Sequence, residues 1–151
     1  MTDTSALPDF DLMRFTPYRL AVAAQKTSEA LARQYRARFD ISIPEWRVLV
    51  HVAHAKDASV RDIEAQVVME KSKVSRAATR LESIGYLKKS VNEGDRRLLR
   101  LSLTEKGQEL MAELLPLAQS YQDEIEKQLG ADFAKLEEGL QTMLARLEDP
   151  T

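Results

Sequence analysis

Residues 59–103, SVRDIEAQVVMEKSKVSRAATRLESIGYLKKSVNEGDRRLLRLSL, contain the most informative pattern of the chain. A short helix with Ser59 as its N-cap is followed by a turn and by a second helix over about 70–84, which ends at Gly85. Two short strand-like runs come next. This order is typical of a helix-turn-helix unit with a β-hairpin behind it. In such a unit the second helix lies in the DNA major groove.

The second helix has two chemically different faces when its residues are projected at about 100° each. The inward arc is apolar and holds Val74, Ala77, Ala78, Leu81 and Ile84. The outward arc holds Ser72, Ser75, Arg76, Thr79 and Ser83, with Lys73 and Arg80 along one edge and Lys71 along the other. Small hydroxyl side chains let a helix approach base edges, and Arg or Lys can donate to guanine O6 and N7. The alternative is an ordinary solvent-exposed amphipathic helix, which the lack of acidic residues on the outward arc disfavours.

The charge of the chain is concentrated in the same region. The 151 residues carry a formal net charge of −2. Residues 70–100 hold nine Lys or Arg and four Asp or Glu, which gives this segment +5 and leaves −7 for the rest. A basic segment on an acidic protein is typical of a surface that binds a polyanion. A solvated charged face is the alternative.

The strand-like runs, 86–91 and 98–103, predict a hairpin with a polar tip. The tip carries Asp95, Arg96 and Arg97. An arginine on a narrow hairpin can enter the minor groove, where the negative potential is concentrated. We expect the Asp95 carboxylate to orient an arginine for this insertion. A polar turn whose charges face water is the alternative.

The flanking segments predict helices that pair two copies of the chain. The fold is expected to be mostly α with a small β-hairpin, in four segments: 1–14 a flexible arm, 15–39 a dimerisation helix, 42–103 the DNA-binding region and 104–149 the C-terminal dimerisation helices. Apolar seams run along the last two helices, at Leu110, Leu114, Leu117, Tyr121 and Ile125, and at Phe133, Leu136, Leu140, Met143 and Leu147. A two-fold dimer would bury these seams and place two recognition helices about one DNA turn apart, on a near-palindromic site. A monomer whose helices fold back on its own DNA-binding region is the alternative.

Several function classes are disfavoured by composition. There are no cysteines, and histidines number two and glycines five. We therefore expect no enzyme, no cofactor and no metal site. No apolar run exceeds about five residues and no secretory signal is visible, so a membrane span is excluded and a cytoplasmic protein is expected.

A candidate ligand cluster lies on the helix that starts at the capping box Ser42–Glu45. Arg47, His51 and His54 are spaced by four and three residues, so they are neighbours on that helix. They could bind a carboxylate or phenolate. A polar stripe without a ligand is the favoured alternative.

Three motifs resemble the MarR family of bacterial winged helix-turn-helix transcription regulators. They are IPEWRVL at 43–49, SKVSRAATRLESIGYL at 72–87 and, most specifically, DRRLLRLSLTEKG at 95–107. The last is similar to the family's wing followed by Leu-Thr-x-x-Gly at the start of the long dimerisation helix. The resemblance covers nearly the whole chain, from about residue 15 to 147.

The resemblance implies roles for named side chains. It places Ser72, Lys73, Ser75 and Arg76 against the major groove, Arg80 nearer the backbone, Arg97 in the minor groove with Asp95 orienting it, and Arg96 at a phosphate or in solvent. The family more often has Asp or Asn where Glu70 stands, which leaves the start of the recognition helix and the role of Lys71 open. The implied function is a homodimeric repressor released from promoter DNA by a small aromatic or phenolic ligand. The second hypothesis is a helical protein–protein interaction module that does not bind DNA.

Overall fold

The computed structural model describes residues 6–91, 94 and 99–148. Its helices are α1 (Thr16–Phe39), α2 (Ile43–Ala55), α3 (Val60–Gln66), α4 (Lys71–Ser83), α5 (Glu105–Leu129) and α6 (Ala131–Leu147). Its strands are β1 (Asp57–Ser59), β2 (Leu87–Val91) and β3 (Leu99–Leu103). This composition confirms the predicted fold class. Inside the segment predicted as an arm, Leu12–Arg14 forms a short 3-10 helix that Asp11 caps.

The helix starts follow local hydrogen-bonding rules. At the start of α2 the Ser42 hydroxyl accepts from the Glu45 N–H at 3.3 Å, and the Glu45 carboxylate accepts from the Ser42 N–H at 2.8 Å. This reciprocal pair confirms the capping box. Ser59 caps α3 and Thr104 caps α5 through their side-chain oxygens. Each cap satisfies a backbone donor that the helix itself leaves unpaired.

The sheet has three antiparallel strands in the order β1-β3-β2. Leu101 of β3 pairs with Ala58 on one side and Lys89 on the other, so β3 is the central strand. The hairpin of β2 and β3 confirms the predicted wing strands. Strand β1 was not predicted from the sequence, because three residues between two helices are too short to show alternation.

The core lies where α2, α4 and the sheet meet. Its fully buried side chains include Val48, Leu49, Val52, Ile63, Val74, Leu81, Leu87 and Leu101. The inward arc predicted for α4 is confirmed, with Ile84 half-buried just beyond the helix end. The core therefore fixes which face of α4 points outward.

The flanking helices differ in how much of their apolar surface the chain covers by itself. Leu110 and Leu114 of α5 are buried within the core, so assigning them to a seam between copies was wrong. They lie on the turns of α5 that pack against the body of the chain. No residue of α6 is buried, and Leu136, Leu144 and Leu147 are exposed. None of the described helices is long and apolar enough to span a bilayer.

Candidate nucleic-acid interface

The outward face of α4 is exposed and cationic. All of its hydroxyl and cationic side chains are exposed, namely those of Lys71, Ser72, Lys73, Ser75, Arg76, Thr79, Arg80 and Ser83. Glu82 is the one acidic residue of α4, and its carboxylate lies 3.7 Å from the Lys89 ammonium of β2. The exposed face therefore presents hydroxyls and cations without a carboxylate among them. This set of groups can donate to phosphates and to base edges.

The N-terminus of α4 starts without a side-chain cap. Glu70 occupies the N-cap position, and its side chain makes no capping hydrogen bond. The helix begins at Lys71, one residue after the predicted start. The preceding turn is held from α2, because Arg47 Nη1 donates to the Val68 carbonyl at 3.2 Å.

The C-terminal end of α4 is joined to the start of α5. Lys106 Nζ donates to the Ile84 carbonyl at 2.7 Å, and the Thr104 hydroxyl donates to the Gly85 carbonyl. Gly85 has φ +93°, a conformation that glycine adopts without strain. Gly107 lies so close to Tyr86 that a Cβ there would overlap the Tyr86 carbonyl oxygen. These contacts explain the Thr-x-x-Gly motif: its residues fix the start of α5 against the C-terminal end of α4.

Arg80 connects α4 to the junction of α1 and α2. Its Nη1 lies 2.6 Å from Glu45 Oε1, and its Nη2 lies 3.4 Å from Asp40 Oδ2. Glu45 is buried, whereas the Arg80 side chain is 43% exposed. The hydrogen bond to Glu45, and then its charge, raise the pKa of Arg80 above its ordinary value. Sequence reasoning missed these partners. Glu45 is 35 residues away from Arg80, and its role as a helix cap gave no sign that it also pairs with an arginine.

A groove lies between the start of α2 and the exposed face of α4. Its volume is about 310 Å³, and it is lined by Ser42, Pro44, Glu45, Lys73, Arg76, Ala77 and Arg80. The structure thus brings three predicted DNA-binding residues, Lys73, Arg76 and Arg80, to one surface. Ser72, Ser75 and Lys71 are exposed on the same helix.

The structure describes the wing at its strands and at Gly94. Asp95, Arg96 and Arg97 lie outside the described residues, so their predicted roles rest on the sequence. Strand β2 leaves the end of α4 after a short turn, and its Lys88 is exposed. The hairpin therefore starts directly beside the recognition helix.

A second cavity, the α1–α2–α5 cleft, lies where the flanking helices meet α2. Its volume is about 310 Å³, and it is lined by Thr27, Ser28, Leu31, Tyr35, Ile43, Trp46, Arg47, Ala118, Tyr121, Gln122 and Ile125. Tyr35 and Trp46 stack with ring centroids 5.4 Å apart. Burial raises the pKa of Tyr35 to about 12, and the nearby Arg36 and Arg47 oppose this rise. The cleft combines aromatic surface with one guanidinium.

The predicted ligand cluster is only partly assembled in this cleft. Arg47 lines it, but His51 and His54 do not. His51 Nδ1 lies 2.7 Å from the Arg47 carbonyl within α2, and His54 is exposed. The spacing that makes the three residues neighbours on a helix does not turn all of them toward one cavity. Sequence reasoning missed the cleft walls on α1 and α5, which are distant in the chain.

Comparison with known proteins gives a family match for the DNA-binding region. A family model described as MarR family matches residues 39–98, which run from the end of α1 to the wing. The chain resembles the MarR family over these residues. Relatives and structural neighbours agree with this assignment.

Among curated relatives, the HTH-type transcriptional regulator Hpr of Bacillus cereus strain B4264 is 34% identical over 97 residues. That match takes in 64% of this chain and 52% of Hpr, so the chain spans about half the length of this relative. The MarR/EmrR family regulator of Acinetobacter sp. ADP1 has a TM-score of 0.80 at 24% identity, covering 92% of this chain and 99% of that one. The structure of Bordetella bronchiseptica BpsR, whose DNA binding is described as regulated by 6-hydroxynicotinic acid, has a TM-score of 0.76 at 20% identity over 90% and 97% of the two chains. At these identities the two structures show the MarR fold alone.

Proposed function

We propose that this chain is a regulator of the MarR family: a homodimer that binds double-stranded DNA sequence-specifically and represses transcription by occluding a promoter. The observation that carries the proposal is the exposed face of α4. The side chains that α4 presents on this face include cations and no carboxylate, and the helix is held at its preceding turn, at Arg80 and at its C-terminal end. A helix fixed in this way loses little conformational entropy when it docks into a groove.

The side chains of α4 divide into two roles. We assign Ser72, Lys73, Ser75 and Arg76 to the major groove, where they would read base edges. Arg80, at the edge of this face, would donate its remaining N–H groups to a phosphate, and Lys71 is a second candidate for a phosphate. Asp95, Arg96 and Arg97 would form the minor-groove contact of the wing, with Arg97 inserted and Asp95 orienting it.

The dimer is supported by the apolar surface that one copy leaves uncovered. In the single chain, Leu144 and Leu147 of α6 are 66% and 73% exposed. Near the N-terminus Leu7, Phe10 and Met13 are 66%, 65% and 66% exposed. Soluble proteins rarely leave so many large apolar side chains in water, and a two-fold partner would cover them. Sedimentation equilibrium on the full chain tests this directly.

The α1–α2–α5 cleft supports a small aromatic acid as the releasing ligand. Its stacked Tyr35 and Trp46 match an aromatic ring, and Arg47 matches a carboxylate. The DNA binding of the structurally similar BpsR is described as regulated by 6-hydroxynicotinic acid, which is an aromatic acid. Trp46 is the only tryptophan of the chain, so its fluorescence reports directly on occupancy of the cleft.

Footprinting on the DNA upstream of the protein's own coding sequence tests the proposed function. We expect one protected, near-palindromic site, with affinity that falls steeply as salt increases because phosphate contacts release counterions. The footprint should shrink when an aromatic acid is added. A monomer that protects no DNA at low salt would instead favour the protein–protein interaction module.

A further inference from the structure

Arg47 belongs to two structural neighbourhoods at once. It lines the α1–α2–α5 cleft, whose other walls come from α1, α2 and α5. Its guanidinium Nη1 also donates, at 3.2 Å, to the Val68 carbonyl in the turn between α3 and α4. One half-buried side chain therefore joins the cleft to the turn that precedes the recognition helix.

The turn is held by the buried Val67 and by the partly buried Met69, whereas Val68 and Glu70 contribute little local support. Val68 is 87% exposed and adds little burial to the turn. Glu70, at the N-cap of α4, makes no side-chain capping hydrogen bond. Within the turn, the Met69 N–H donates to the Val67 carbonyl at 2.9 Å, which leaves the Val68 carbonyl for Arg47. The position of the first turn of α4 is thus sensitive to where the Arg47 guanidinium lies.

A carboxylate in the cleft would compete for the same guanidinium. An ionised carboxylate attracts arginine by its opposite charge and can accept two parallel hydrogen bonds from the guanidinium. Val68 offers only a neutral acceptor. A carboxylate that binds among Tyr35, Trp46 and Arg47 would therefore draw the guanidinium away from the turn.

We propose that Arg47 is the residue through which a carboxylate in the cleft releases the turn before the recognition helix. Without ligand, Arg47 acts as a positioning residue that holds Val68 and thereby the start of α4. With ligand, it binds the carboxylate, and the turn and the first residues of α4 become less ordered. This inference rests on the ligand-responsive regulator proposed above, and it names how the cleft and the DNA-binding face are coupled.

Hydrogen–deuterium exchange on the full chain, without DNA, tests the coupling. The probe is 4-hydroxybenzoate, and the matched control is 4-hydroxybenzamide, which keeps the ring but lacks the charge. We expect 4-hydroxybenzoate to quench Trp46 fluorescence and to raise exchange about two- to tenfold in peptides covering 67–74, the range expected for one lost hydrogen bond. The benzamide should do neither at the same concentration.

Two variants separate the role of Arg47 from a general structural one. In Arg47→Gln the turn should exchange faster without ligand, and adding 4-hydroxybenzoate should change it no further. Arg47→Lys should show the same loss of response in milder form, because an ammonium cannot reproduce the planar fork. Arg33→Gln, which removes an exposed arginine of α1, should behave like the unmodified chain.

The possible outcomes separate the coupling through Arg47 from the ligand site in the cleft. If 4-hydroxybenzoate quenches Trp46 while exchange at 67–74 stays unchanged, the Arg47 coupling is wrong and the ligand site stands. If Arg47→Gln leaves exchange of the turn at its original value, the positioning role is wrong. If no quenching occurs at millimolar acid, both the coupling and the aromatic-acid ligand are overturned, and the DNA-binding function is tested separately by the footprint.

Discussion

Removing the guanidinium of Arg80 should destabilise the free protein, because it deprives a buried carboxylate of its cationic partner. Glu45 Oε1 accepts from Arg80 Nη1 at 2.6 Å and from the Ser42 N–H at 2.8 Å, and Glu45 is only 4% exposed. A hydrogen bond to a charged group contributes about 1.5–3 kcal/mol, and the half-exposed Arg80 reduces this through solvent screening. We expect Arg80→Met to lower the free energy of unfolding by about 1–2 kcal/mol. The melting temperature should fall by about 2–8 °C.

The assay is urea and thermal unfolding without DNA, arranged as a double-mutant cycle. Glu45→Gln keeps an oxygen for the Ser42 N–H and removes the charge, so Arg80→Met should cost much less in that background. Asp40→Asn is the matched control. Its side chain is 98% exposed, so this change should shift the melting temperature by no more than about 1 °C. An Arg80→Met cost that is equal with Glu45 and with Gln at that position would refute the assigned contact.

Three further predictions concern other parts of the molecule. Gly107→Ala should destabilise the protein by about 3 kcal/mol or more in urea unfolding, because the added Cβ would overlap the Tyr86 carbonyl. Gly139→Ala has open space around it and should be neutral or stabilising, so similar effects of the two substitutions would count against the packing described. The free energy of unfolding should fall as pH rises from 10 to about 12, because Tyr35 ionises near pH 10 in the unfolded chain but stays protonated in the folded one. Tyr35→Phe should flatten this fall in urea titrations, and an unchanged slope would contradict the assigned burial of Tyr35. Arg97→Ala should weaken DNA binding chiefly at sites with an A/T-rich flank under the wing, measured by anisotropy on matched duplexes, and equal loss on every flank would argue against minor-groove insertion.

Local signals made much of the fold predictable from the sequence. Capping at Ser42, Ser59 and Thr104 is a matter of residues three or four apart, and the structure confirms these helix starts. The two faces of α4 follow from one helical period, and the core packs the predicted side inward. Strand β1 escaped prediction because its identity depends on pairing with β3, more than 40 residues later.

The candidate site was less predictable because its main contacts are long-range. Arg80 has an outward position on its helix, and nothing in the local pattern reveals that Glu45 and Asp40 engage it. The spacing of Arg47 to two histidines predicts that the three residues form a cluster, whereas the structure associates Arg47 with Tyr35 and Trp46 in the cleft. Helical spacing predicts which residues are neighbours on one helix. It does not predict which cavity their side chains enter once other helices pack against them.

If the exposed face of α4 reads DNA bases, selection of binding sites from a random library will reveal the preference of each side chain. A randomised duplex library would be sorted with the unmodified chain and with Arg76→Ala, and the ranked sequences compared. We predict weaker binding and a relaxed preference at one position of each half-site, since a bidentate base contact contributes about 1–3 kcal/mol of discrimination. An unchanged ranking of sequences, whatever the loss in overall affinity, would contradict the assignment of Arg76 to base recognition by this face.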